Sequence, residues 1–508
     1  MVNSSSQLSA ATGPKVWDNL STTAFGDRSS ALAILPIYGM CDHGLGLSLD
    51  IEEVIGGALL TASAAVFPTA QIRILPPLRA DLSPYRFSPV KTDPENFLEM
   101  IQEIAAGVEA AGFDRLVFWT TSPWNAEIVD VASRDIRIGL NLKTFVIELS
   151  GLGLSLHPRS SDRERAQILG GTLTQTTPES VAGSDPSDSD FRPGNWSRLP
   201  AVIAGATEAP EAIFDRSAQA LAALLQEVHE RCNNAPSGED ASIELRHFSI
   251  PAASYPGPRR PQYLASSSAQ KLEEADRKSE TLVVIPIGAI EQHGPHLPVG
   301  VDSMIAEAAA AGLSQRLPES IVCAPTLCYS KSNEHHDYPG TLSLSARTLR
   351  RFLKSQIQAL HEAGYRQFAV LNTHGGNSSV LTYTLRELQV ELKIRAGMLR
   401  LPSTPDLDPH ESTWGFHAGE WETSVMLEIA PHTVDMDRAI CHYPVPQNAP
   451  GKLRPENAPA IFSWKTRDIA PDGVMGDATK ATAEKGKQWL ETALDQVAEQ
   501  IRELLQRE

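Results

Sequence analysis

The chain carries one strand-and-turn unit twice. Ala33-Ile34-Leu35-Pro36-Ile37-Tyr38-Gly39 aligns with Val283-Val284-Ile285-Pro286-Ile287-Gly288-Ala289. Cys41-Asp42-His43-Gly44 then falls opposite Glu291-Gln292-His293-Gly294. Asp50 follows His43 after a loop two residues shorter than the one between His293 and Asp302. Farther on, Ala111-Gly112-Phe113-Asp114-Arg115-Leu116-Val117-Phe118 matches Ala363-Gly364-Tyr365-Arg366-Gln367-Phe368-Ala369-Val370. Carrying that register forward sets Ser122 opposite His374 and Asn125 opposite Asn377, and residues 164–169 match residues 422–427 weakly. A unit that recurs only once is a duplicated domain; solenoid repeats run about 20–50 residues. The length of 508 residues accommodates two such units, since a domain is typically about 100–200 residues.

The second copy reads as alternating strands and helices. Residues 281–290 form a short apolar run rich in Val and Ile, as a buried parallel strand does. Residues 302–317 have helical composition, and residues 320–324 suit a strand. Residues 345–363 place Leu349, Phe352, Leu353, Ile357 and Leu360 at helical spacing before Gly364. Residues 367–371 suit a strand and 377–393 a helix. This order implies an α/β fold with a mostly parallel sheet flanked by helices, and such sheets bind ligands beyond the carboxyl ends of their strands.

Three polar clusters fall at such positions. In an extended segment residues i and i+2 point to one side, so Glu291 and His293 can share a site to which Asp302 returns. Asn372-Thr373-His374-Gly375-Gly376-Asn377 and His417-Ala418-Gly419-Glu420-Trp421-Glu422-Thr423-Ser424 follow. Carboxylate and imidazole donors in these numbers are ligands for zinc, manganese or iron. The first copy has Cys41 where the second has Glu291, and Ser122 where it has His374. Stripped of two ligands, it reads as degenerate and non-catalytic. A rebuilt site using Cys41, His43, Asp50 and His157 is the alternative, because a thiolate can ligate zinc. Asn377 is expected to cap the following helix through its side chain.

Composition removes several classes of function. With 44 Lys and Arg against 62 Asp and Glu, the net charge of −18 argues against a nucleic-acid or anionic-membrane partner. No run of about 18 apolar residues exists to cross a membrane, and the N-terminus does not read as a signal peptide. Five cysteines without paired spacing suit reduced thiols in a cytoplasm. Residues 251–280 have linker composition, which divides the chain into 1–250, a linker and 281–508; residues 172–195 read as a long surface loop.

Residues 281–440 resemble the creatininase family of metal-dependent amidohydrolases. The resemblance rests on Glu291-Gln292-His293-Gly294 with His296-Leu297-Pro298 and Asp302, on Ser332-Asn333-Glu334-His335 with Tyr338-Pro339-Gly340-Thr341, and on the 372–377 and 417–424 clusters, all in the same order. It implies two tandem three-layer α/β/α sandwiches, the second catalytic. It also implies a site for two divalent ions, zinc first, manganese or iron otherwise. Glu291 and His374 would bind one ion and His293 the other, with Asp302 bridging. In the family's type enzyme a glutamate just after the histidine matching His374 completes the second ion's ligands; here that position is Gly376. Glu420 or Glu422 would replace it, and Glu420 is preferred. His417 matches the histidine proposed to protonate the leaving nitrogen. Trp414 would cover the substrate, Glu334 and His335 would line the pocket, and His296 would support the ligands or be only a loop residue. The implied reaction is cleavage of a C–N bond in a small cyclic amide or formamide by a metal-held hydroxide. Trimming of a short peptide during cofactor maturation is a second reading, and a metal-dependent binding or scaffold protein a third. A ring-like homo-oligomer is also implied.

Overall fold

A computed structural model of the chain describes residues 15–25, 28, 31–44, 46–67, 71–85, 87–174, 208–232, 263–402, 407–444, 452–456 and 460–506. Of the polar loop expected at 172–195, residues 172–174 end a helix instead, and 175–195 lie outside the described residues, as does the Pro-rich part of the linker, 251–262.

In the first half, strands β1 (Lys15–Val16), β2 (Leu32–Tyr38), β3 (Ile72–Ile74), β4 (Leu78–Arg79), β5 (Arg115–Thr120) and β6 (Lys143–Glu148) form one sheet. In the second, β7 (Leu282–Ile287), β8 (Ile321–Cys323), β9 (Gln367–Asn372) and β10 (Arg395–Leu399) form another. The central order is the same in both: β3-β2-β5-β6 and β8-β7-β9-β10, every pair parallel. All residues of β2 and β7 are buried, as a strand covered on both faces requires. Each central strand contains a proline, Pro36 or Pro286, which cannot donate to a ladder. The fold places the missing donor where the neighbour is interrupted. β8 pairs with β7 only up to Val284, and contact resumes at Leu327, whose N–H donates to the Pro286 carbonyl.

Helices cover both faces of each sheet. In the first half α1 (Ile51–Ala64), α4 (Arg163–Thr174) and α5 (Pro210–Cys232) pack on one face, over Ile34, Val117 and Trp119. α2 (Pro94–Ala110) and α3 (Ala126–Gly139) pack on the other, over Leu35 and Phe118. In the second half α6 (Val301–Arg316), α10 (Glu420–Ile429) and α11 (Ala483–Gln506) pack together, as do α7 (Ala346–Glu362) and α8 (Ser378–Leu392). A short helix, α9 (Pro409–Trp414), precedes α10. The two expected three-layer α/β/α sandwiches are therefore present. Local signals set the helix starts: Asp93 accepts from the Asn96 N–H ahead of Pro94, and Ser345 from the Thr348 N–H.

The halves share one apolar core, which runs from Trp17 and Leu35 through Leu349 and Phe352 to Ile501. α2 lies against α7, where Arg351 contacts Asp93 at 2.6 Å and Thr348 donates to Glu103 at 2.9 Å. Residues 263–273, expected as linker, pack between the halves. Tyr263 pairs with Cys323, and Asp50 N–H donates to the Ala265 carbonyl. Among the described residues no helix is long and apolar enough to cross a membrane.

Candidate metal centre

The centre lies beyond the carboxyl ends of β7 and β9. β7 leaves its sheet at Gly288, where a Cβ would stand 2.5 Å from the backbone of Ser303. The absent side chain lets the first turn of α6 rest on the strand end, and Asp302, second residue of α6, is carried there. The loop that follows β7 is tied at both ends. Glu291 N–H donates to the Val299 carbonyl, while Val299 and Gly300 N–H donate to Leu20 and Asp18 of the first half.

Four side chains meet here with exposures of 5% or less: Glu291, His293, Asp302 and His374. His293 Nδ1 lies 3.1 Å from the Glu291 carbonyl, and His374 Nε2 lies 2.9 Å from the Lys331 carbonyl. Each imidazole donates its proton to a main-chain oxygen and turns its other nitrogen inward, the arrangement that prepares a histidine to ligate. His293 Nε2 faces Asp302 Oδ1 at 3.7 Å and Glu291 Oε1 and Glu422 Oε2 at 3.9 Å each. His374 Nδ1 faces Glu291 Oε2 at 3.2 Å and Asp302 Oδ2 at 3.4 Å. Asp302 thus presents one oxygen to each imidazole.

The donor set fits divalent metal. Glu291 Oε1, His293 Nε2 and Asp302 Oδ2 are buried without a hydrogen-bond partner, a costly state unless a further group satisfies them. Separations of 3.2–3.9 Å are what ligands bound at about 2.0–2.2 Å to a common ion would show. Protonation tells the same story. Burial opposes charge on both imidazoles, yet Asp302, Glu422 and Glu291 push His293 up to about 9, and Glu291 and Asp302 raise His374 well above its ordinary value. Burial pushes Glu291 upward, while His293 and His374, against burial, pull Asp302 below the carboxylate range.

Of the two glutamates in the 417–424 cluster, the geometry turns Glu422 to the centre, where the sequence reading preferred Glu420. Glu420 Oε1 contacts Lys485 Nζ at 2.6 Å instead. Glu422 lies on the more open side, accepts from Ala418 N–H at 2.5 Å, and is raised to about 7 by its enclosure. Ala418 reaches it from a left-handed conformation, φ 53°, rare without glycine. A side chain at Gly376 would displace its neighbours, since a Cβ there would stand 2.3 Å from Glu334 Oε1 and 2.5 Å from His374 Nε2.

His417 lies 3.6 Å from Glu291 through Nδ1, and its ring packs 4.3 Å from that of His293 and 4.6 Å from that of His335. Burial and the neighbouring His293 hold it well below the usual histidine range. His335 sits inside the cluster, within 2.9 Å of Gln292 Nε2 and 2.6 Å of Thr466. Glu334 stays at its edge, 3.9 Å from His374 and 3.3 Å from Lys331. His296 Nε2 bonds Thr423 at 2.9 Å, and burial lowers it to about 4.

Further residues sit in surroundings that the sequence did not indicate. Trp414 is engaged by Arg454, 4.6 Å over its ring, and Trp464 stands edge-on to His335 at 6.3 Å instead. Asn377 precedes α8 without a side-chain cap; its oxygen accepts from Lys331 N–H and its amide donates to Gly288 and Asn372. In the first half Asp50 turns to Ser48 and Ser266, and His157 packs on Trp124, so neither joins Cys41 and His43. Sequence reading also passed over Gln292, which lies in the motif, and Trp464, which no local spacing marks.

Comparisons with known proteins place the second half in one family. The family model "Creatininase: Creatinine amidohydrolase" matches residues 265–501. The mycofactocin precursor peptide peptidase of Mycolicibacterium smegmatis is 30% identical over 246 residues, 48% of this chain and 91% of its own. The creatinine amidohydrolase of Pseudomonas putida is 28% identical over 244 residues, 44% and 90% of the two chains. The solved structure "Creatininase Mn" is 25% identical with a TM-score of 0.41, covering 49% of this chain and 100% of that one. The chain belongs to the creatininase family of hydrolases.

Proposed function

We propose that the second half hydrolyses a C–N bond of a small cyclic amide or formamide with two divalent metal ions. The observation that carries this is the convergence of Glu291, His293, Asp302, His374 and Glu422 with buried, unpartnered ligand atoms. Glu291, Asp302 and His374 would hold one ion, and His293, Asp302 and Glu422 the other. When bound, such a pair activates water and polarises a carbonyl. His417 rests neutral, with Nδ1 facing the cluster and Nε2 held 2.9 Å from the Gln292 carbonyl. It can take a proton at Nδ1 from the attacking water and pass it to the departing nitrogen, beside Glu291.

A cavity of about 210 Å³ adjoins His374, lined by Asn372, Thr373, Ser378, Arg400, Leu401 and Trp421. Trimming of a peptide end is the second reading, favoured by the 30% identical relative, a precursor peptide peptidase. The test compares metal content of the wild-type chain and His293→Ala/His374→Ala, with turnover of cyclic amides, formamides and short peptides. Loss of about two ions and of turnover in the variant is expected. Equal metal content in the two proteins, or no turnover of any panel by loaded wild type, would reject the proposal.

A further inference from the structure

We infer that the first half holds a separate mononuclear site for a zinc-type divalent ion, built from Cys41, His43 and Glu52. Its position repeats that of the second-half centre. Glu52 is the second residue of α1 as Asp302 is of α6, and each follows its histidine by nine residues (52 − 43 and 302 − 293). Cys41 occupies the place of Glu291.

The three ligand atoms face one point. Cys41 Sγ lies 3.4 Å from His43 Nε2, His43 Nε2 lies 2.8 Å from Glu52 Oε1, and Sγ lies 4.0 Å from that oxygen. Bonds of about 2.0–2.3 Å in a tetrahedron give ligand separations of about 3.3–3.6 Å, so only small side-chain shifts are needed. A nucleophilic Cys–His–Glu relay is a poorer description. There the acid orients the base through the nitrogen remote from the nucleophile, whereas thiol and carboxylate here face the same Nε2. Glu52 is set to bind through one oxygen, because Gly39 N–H donates to the other at 2.6 Å.

The surroundings need positive charge. Cys41, Glu52 and Asp81 are 0% exposed and His43 2%. A Cβ at Gly39 would stand 2.8 Å from Glu52 and 3.2 Å from Asp81, so both carboxylates wall the same small space. Lys91, 3.6 Å from Asp81, serves that carboxylate and not Glu52. Buried carboxylates at such spacing are unfavourable unless paired or bound to a metal. The thiolate also separates this site from the other: sulfur favours zinc, whereas an oxygen and imidazole set accepts manganese as well. Binding releases the thiol proton to solvent. Three protein ligands leave the fourth position to water.

The experiment is a cobalt titration of the metal-stripped full-length chain, read by the near-ultraviolet charge-transfer band that only a cobalt–thiolate bond produces. Wild type should develop the band, and Cys41→Ser should lack it while keeping the native circular dichroism spectrum. His293→Ala/His374→Ala should retain the band, which makes this result independent of the proposed catalytic centre. Zinc-loaded wild type should carry about one ion more than Cys41→Ser. A wild-type chain without the band, or a band that persists in Cys41→Ser, would show that these residues are only a hydrogen-bonded remnant.

Discussion

Replacing Trp17 by alanine should unfold the whole chain more easily, although Trp17 belongs to the first half. Its ring is 0% exposed and lies edge-on to Phe25 at 4.8 Å and 5.0 Å from Phe113. Its Nε1–H donates to the Gly340 carbonyl of the second half at 2.9 Å. Truncating a buried tryptophan costs about 3–5 kcal/mol, and leaving a buried carbonyl without its donor adds about 1–3 kcal/mol. Allowing for relaxation, a loss of about 4 kcal/mol is expected, against a total stability of about 5–15 kcal/mol. With a urea m-value of about 3 kcal/mol/M, the midpoint should fall by about 1 M. The centre should feel it too, because Thr341, next to Gly340, accepts the Gln292 N–H at 3.2 Å beside the metal ligands. Hydrogen exchange resolved by peptide is the assay: β5 and β9 should lose protection together. If β7 and β9 exchanged as in wild type while the first half opened, the shared core would not be one cooperative unit and the reasoning would fail.

Glu422→Gln should lower metal content by about one ion per chain, whereas Glu420→Gln, at a carboxylate held by Lys485, should leave it unchanged; elemental analysis decides. Ion-free His293 is raised to about 9, so at pH 7 it carries a proton that loading must expel. Metal affinity should therefore fall about tenfold per pH unit below 9 for each proton displaced, and calorimetry in buffers of different ionisation heat should register the release. Glu411→Leu removes the acceptor of Glu420 N–H, Asp477 N–H and the Tyr443 hydroxyl. At about 1–3 kcal/mol for each stranded buried donor, thermal denaturation should show a loss of several kcal/mol. Residues 281–508 expressed alone expose the α7 face that meets α2, and should aggregate; a soluble, fully active fragment would contradict the packing of the halves.

The strands and long helices were legible because the signals that set them are local. The run 281–290 contains Leu282–Ile287, and 345–363 brackets Ala346–Glu362, since burial on both faces and a single apolar stripe each write a clear pattern. The choice between Glu420 and Glu422 was not legible. Two residues along a helix turn about 200°, so the pair face nearly opposite sides. Which side meets His293 depends on how α10 rolls against α6 and α11, and on Lys485, more than sixty residues away. The contact of Trp414 with Arg454 was not legible for a similar reason: Arg454 lies on a distant segment.

The first-half ligand shows what a repeat specifies. Sequence comparison paired Asp302 with Asp50, the nearest matching residue type, and accepted a shortened loop. The structure keeps the loop length and changes the residue: Glu52 and Asp302 both stand second in their helices. Asp50 lies before the helix and points to Ser48 and Ser266. Two residues at a helix start separate opposite sides of the chain, so only one of the pair can face His43. Backbone position therefore outranks residue identity when a duplicated site diverges. The strand end and the first helical turn persist because both are buried in the core, while the donors they present are free to change from two carboxylates and two imidazoles to a thiol, an imidazole and a longer acid.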